Sequence, residues 1–80
     1  MFSESDREKM QIGYKQTMRA IAEGNADKVF IAEDCDDKIK EPATKAAAEK
    51  NVQVLYVPTM KELGSMCQIE VSASCAVILK

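Results

Sequence analysis

Hydrophobic and polar positions along the chain change period several times, and each change marks an element. Tyr14, Thr17, Met18 and Ile21 recur at i, i+3, i+4 and i+7, the spacing of one helix face, and Gly24 supplies the stop expected just past a helix C-terminus. Before that helix, the S-x-x-E spacing of Ser5-Asp6-Arg7-Glu8 predicts a short capped helix from Ser5 to about Lys9, and Met10 and Ile12 read as a brief first strand. After the polar turn Asn25-Ala26-Asp27-Lys28, the apolar run Val29-Phe30-Ile31-Ala32 predicts a central strand buried on both faces. Glu33 to Asp37 end it.

Helical spacing returns with Ile39, Ala43, Ala46 and Ala47. Pro42 fits the first turn, where its missing N–H is harmless, so this helix is expected to begin near Lys40 or Glu41 and to end near Asn51. Val52 to Val57 read as the next strand, stopped by Pro58. Thr59-Met60-Lys61-Glu62 is a second capping box, opening a short helix through Met66, and Cys75 to Leu79 form the last strand. Strands alternating with helices predict an α/β fold with helices on both faces of a small sheet, in a single domain spanning residues 1–80.

Composition narrows the function classes. At 80 residues, 46% hydrophobic and 5% aromatic, the chain can bury a compact aliphatic core but no large enzyme cavity. Eleven basic against thirteen acidic side chains give a net charge of −2, so any binding to nucleic acid has to be local rather than a bulk electrostatic effect. Histidine is absent. Without the usual general base, and with no Gly-rich phosphate loop, catalysis is not expected. Cys35, Cys67 and Cys75 form no C-x-x-C pair, so they read as buried thiols in a reducing, cytoplasmic setting rather than as a metal site, and no cofactor is expected. The charged start, Met1 to Glu8, has no apolar stretch of a secretion signal, and no segment is long enough to span a membrane.

Three segments could carry chemistry. At 100° per residue Lys15, Gln16 and Arg19 share the outer face of the helix that starts after Gly13, beside its free first-turn amides. That suits phosphates and base edges, or simply water. The segment Gln68 to Ser74 places Ile69 and Val71 among small side chains, as an apolar loop that wants a partner or as the rim of the core. The acidic run Glu33 to Asp37 lies at the C-terminal end of a central strand, where ligands of open sheets bind, but counted from Asp34 it puts Ile39 and Lys45 where an EF-hand needs Gly and Glu.

Taken together, Gly13-Tyr14-Lys15-Gln16-Thr17-Met18-Arg19-Ala20-Ile21 with Gly24, then Val29 to Asp36, then Leu63-Gly64-Ser65-Met66-Cys67-Gln68-Ile69-Glu70-Val71 resemble the L7Ae/L30e family of ribosomal proteins, most closely its short bacterial RNA-binding members. The resemblance runs from about Met10 to Leu79. It implies an α/β/α sandwich around a four-stranded mixed sheet of order 1-4-2-3, with strand 4 antiparallel to its neighbours. It also implies binding to the kink-turn, a sharply bent RNA motif with tandem sheared G·A pairs and an extruded nucleotide.

Carried over by position, Gly13, Lys15 and Gln16 match the family's Gly-x-Asn-Glu helix start that reads the sheared guanines, with Lys15 and Gln16 standing in for Asn and Glu. A lysine can donate to guanine O6 and N7, and glutamine can both donate and accept. Arg19 matches a position that contacts the RNA backbone, and Asp36 an acidic position near the extruded nucleotide. Ile69, Glu70, Val71, Ser72 and Ala73 match the apolar RNA-contacting loop. Lys61 is the nearest cation where many members carry lysine at Met60. The implied protein is a non-enzymatic, monomeric RNA binder whose host could be ribosomal RNA, a riboswitch or another structured RNA. A protein-interaction module using the loop 68–74, or a small anion-binding regulatory domain, are the competing readings.

Overall fold

The computed structural model describes residues 8–67 and 71–80. The short helix expected over Ser5 to Lys9 falls largely outside them. Four strands and three helices follow in the order β1 (Met10–Ile12), α1 (Tyr14–Ala22), β2 (Ala26–Ala32), α2 (Asp37–Glu49), β3 (Gln53–Val57), α3 (Met60–Met66) and β4 (Cys75–Leu79). The strands form one mixed sheet of order β1-β4-β2-β3. Strand β4 runs antiparallel to both β1 and β2, and β2 runs parallel to β3, as the family resemblance implies.

Burial follows from this order. The two middle strands present consecutive residues to opposite faces, and Val29, Phe30, Ile31 and Ala32 of β2 and Cys75, Ala76, Val77 and Ile78 of β4 are all buried. Both faces of the central strands are therefore covered. The edge strand β3 instead leaves Leu55 and Tyr56 exposed. On α1, Thr17, Ala20 and Ile21 are buried, with Tyr14 and Met18 packed at the margin of the core. Thr17 is tolerated inside because its hydroxyl donates to the Gly13 carbonyl at 2.8 Å.

Two boundaries differ from the sequence reading. Helix α2 begins at Asp37, not near Lys40 or Glu41, because the Asp36 side chain accepts from Lys38 N at 2.9 Å and the Asp36 carbonyl accepts from Ile39 and Lys40. That cap is worth about 1 kcal/mol. Pro42 therefore sits inside the helix rather than in its first turn, removing the amide that would bond the Lys38 carbonyl. Strand β2 begins at Ala26, so the expected polar turn is partly strand. Ala26 pairs with Leu79, and the register against β4 shifts between Ala26 and Lys28. A bulge lets polar residues join a ladder that their propensity disfavours.

All three cysteines are free and buried. Burial pushes their thiols up from the ordinary 9.0, and Cys75, with Cys35 nearby, is raised to about 11. Between these values the unfolded chain releases a Cys75 proton that the folded chain keeps, so stability falls as pH rises from about 9 towards 11. Melting curves across that range should show the decline, and Cys75→Ala should make it shallower; an unaltered slope would assign the loss to other groups.

Candidate nucleic-acid interface

The strand directions bring the C-terminal ends of β1, β2 and β3 and the N-terminal end of β4 to one end of the sheet. Main-chain hydrogen bonds fasten the segments there: Gly13 N donates to Cys75 O at 2.9 Å, Ala32 N to Ser74 O at 2.9 Å, Glu33 N to Val57 O at 2.7 Å, and Ala73 N to Met60 O at 3.1 Å. The start of α1, the turn after β2, the start of α3 and the segment before β4 thereby form one continuous rim, although they are far apart in sequence.

Gly13 makes the first corner of the rim. Its φ of 116° and ψ of 157° lie in a region that is essentially glycine-only, and its amide is tied to β4. With no side chain to cap α1, the first-turn amides keep their donors and the positive end of the helix dipole. Lys15 and Gln16 are exposed beside them. Arg19 is exposed too, but it lies in the last turn of α1, away from Gly13, where with Gln16 it borders a polar groove.

The turn after β2 has a structural task that its acidic composition does not advertise. Asp34 Oδ1 accepts from Met60 N at 2.7 Å, holding the start of α3, and Thr59 accepts from Glu62 N at 3.0 Å, as the capping box predicts. Asp36 is exposed and uses one carboxylate oxygen to cap α2. Lys61 is exposed in the first turn of α3.

Ile69 and Glu70 lie outside the described residues. Val71 is 70% exposed, which removes the reading that it packs on the rim of the core. Ser72 is exposed as well. Ala73 is different: its side chain is buried, and its amide anchors the segment to the Met60 carbonyl. Gly64 is the residue to which the motif reading gave no role. A Cβ there would collide with the Val71 carbonyl oxygen and crowd Ser72 Cα, so a missing side chain on α3 lets the loop backbone lie against the helix and present Val71 outward. A glycine inside a helix, costly by propensity, was the available signal.

Comparisons with known proteins agree with this architecture. Residues 3–80 match the ribosomal protein L7Ae/L30e/S12e/Gadd45 family. The chain is 50% identical over 72 residues to the RNA-binding protein YbxF of Geobacillus stearothermophilus, covering 90% of this chain and 88% of that one. It is 40% identical over 68 residues to the large ribosomal subunit protein eL8 of Halobacterium salinarum, covering 84% of this chain and 57% of that protein. Among solved structures, the Giardia lamblia 15.5kD RNA binding protein superimposes with a TM-score of 0.86 at 25% identity, over 95% of this chain and 64% of that one. The chain thus spans less than two thirds of the length of these last two relatives.

Proposed function

The chain belongs to the ribosomal protein L7Ae/L30e/S12e/Gadd45 family, and from that premise we propose that it is an RNA-binding protein that recognises the kink-turn and holds it bent. The observation that carries this reading is the rim itself: an uncapped helix start bearing exposed Lys15 and Gln16, fastened through β4 to the loop that exposes Val71. Lys15 and Gln16 address the guanine edges of the sheared pairs in a widened groove. Val71, with Ile69 and Glu70 before it and Ser72 after it, lies against unstacked bases. Asp36 accepts from the extruded nucleotide, and Lys61 and Arg19 meet phosphates.

A ligand that binds only the bent form draws the RNA population towards it, which is the whole of the activity and needs no catalytic group. The protein acts as a cytoplasmic monomer, and ribosomal RNA is one host that the family supports. The acidic residues Glu33, Asp34, Asp37 and Glu41, all exposed around the start of α2, discourage indiscriminate RNA binding. Gel shifts test the reading directly. A kink-turn RNA should bind, and the same RNA with its sheared G·A pairs changed to Watson–Crick pairs should not; equal affinity for both would remove kink-turn recognition.

Val71→Asp separates recognition from packing. Because the side chain is exposed, the melting temperature should change little, whereas a carboxylate against RNA should weaken binding at least tenfold, about 1.4 kcal/mol. Paired thermal melts and titrations on this one variant decide the point. A large fall in melting temperature would mean that Val71 supports the fold instead.

A further inference from the structure

A groove of about 270 Å³ runs between α1 and the β1 edge of the sheet, lined by Gln11, Gln16, Arg19, Glu23, Asn25 and Leu79 among others. It begins at Gln16, beside the rim, and follows α1 to Glu23 for roughly 10 Å at 1.5 Å per residue, towards the opposite end of the sheet. That far end is closed by Leu79 N donating to Lys9 O at 2.8 Å and Lys80 N donating to Asn25 O at 2.7 Å. Lys15 is exposed at the near end and Lys9 at the far end. Three amides, one guanidinium and one carboxylate dominate the lining, which offers hydrogen bonds but little apolar surface. The turn after β2 and the start of α2, by contrast, expose Asp34, Asp36, Asp37 and Glu41. Within the groove Arg19 and Glu23 balance each other, and the exposed Lys15 and Lys9 at its two ends supply the remaining cations along this path from the rim.

We propose that the groove holds the ribose-phosphate backbone of the RNA stem that leads away from the kink, making Gln11 and Asn25 RNA-contacting residues. Their amides donate to phosphate oxygens and exchange hydrogen bonds with 2′-hydroxyls. Arg19 pairs with a phosphate. Glu23 repels phosphate from its corner and accepts from a ribose 2′-hydroxyl, a group that DNA lacks. The inference rests on the reading that the start of α1 faces the kink, and it adds an extended contact to a local one.

The test compares wild type, Gln11→Ala/Asn25→Ala and Arg19→Ala on kink-turn RNAs with full-length stems and with each stem shortened in turn to the pairs of the kink. The double variant should bind a full-length RNA at least fivefold more weakly than wild type, and should match wild type once the contacted stem is removed. Arg19→Ala should behave alike and lower the slope of log affinity against log salt by about one. Asn25→Ala alone, which leaves the main-chain bonds to Ala20 and Lys80 in place, should show a smaller loss in the same direction, with melting temperatures checking the fold of each variant. Equal affinity of variants and wild type for the full-length RNA, with G·A discrimination retained, overturns the stem contact alone. Failure of wild type to discriminate the G·A pairs overturns the underlying reading instead.

Discussion

Replacing Lys15 and Gln16 together with alanine should weaken kink-turn binding by about 2 kcal/mol or more, at least thirtyfold, and leave the melting temperature nearly unchanged. Each base contact is worth roughly 1–3 kcal/mol of discrimination, and about 1.4 kcal/mol is a factor of ten in affinity. The fold is spared because both side chains are exposed and none of the hydrogen bonds that fasten Gly13 and Thr17 runs through them. Alanine is also the better helix former at both positions. Isothermal titration with the kink-turn and its Watson–Crick control, alongside circular dichroism melts, measures both halves. A dissociation constant that stays at the wild-type value would show that this face of α1 does not read RNA.

Gly64→Ala should do the reverse and strike the fold and the site together. In an exposed helix this change stabilises by roughly 0.5–1 kcal/mol. Here the position is buried and the new Cβ meets the carbonyl of Val71 and the backbone of Ser72, which cannot rotate aside as a side chain can. Inserting a methyl group into such a contact costs about 1–3 kcal/mol, and each 1 kcal/mol lowers the melting temperature by roughly 4–8 °C in a domain of this size. The loop has to lift from α3, carrying Val71 out of position, so RNA affinity should fall even at temperatures where the protein remains folded. A higher melting temperature would mean that the loop yields freely and that helix propensity wins.

The same contact marks a limit of what sequence can disclose. Gly64 stands inside a legible helix, opened by the Thr59 and Glu62 capping box and ending at Met66, yet its purpose is a loop several residues further on that packs back against it. Asp34 is similar: as one of a run of acids it reads as a solvated turn, and only the approach of α3 makes its carboxylate the acceptor for Met60. Ala73 is a third case, since its place in the segment before β4 says nothing of its main-chain bond to Met60 or of the burial of its methyl group.

Local interactions account for what the sequence determined by itself. The i, i+3, i+4, i+7 spacing of Tyr14 to Ile21 makes α1 and its outward Lys15, Gln16 and Arg19, because helix periodicity needs only near neighbours. The continuous apolar run at Val29 to Ala32 states that β2 is covered on both sides, and the motifs around Gly13, Asp36 and Val71 carry the family likeness. The start of α2 is local as well, since Asp36 caps the amide of Lys38 two residues on in spite of Pro42, whereas tertiary structure decided the entry of Ala26 to Lys28 into β2, where pairing with β4 outweighs poor strand propensity. It also decided the rim. Gly13, Val71 and Lys61 lie on one rim because β4 runs antiparallel between β1 and β2, and strand pairing between residues distant along the chain is a property that no local pattern encodes.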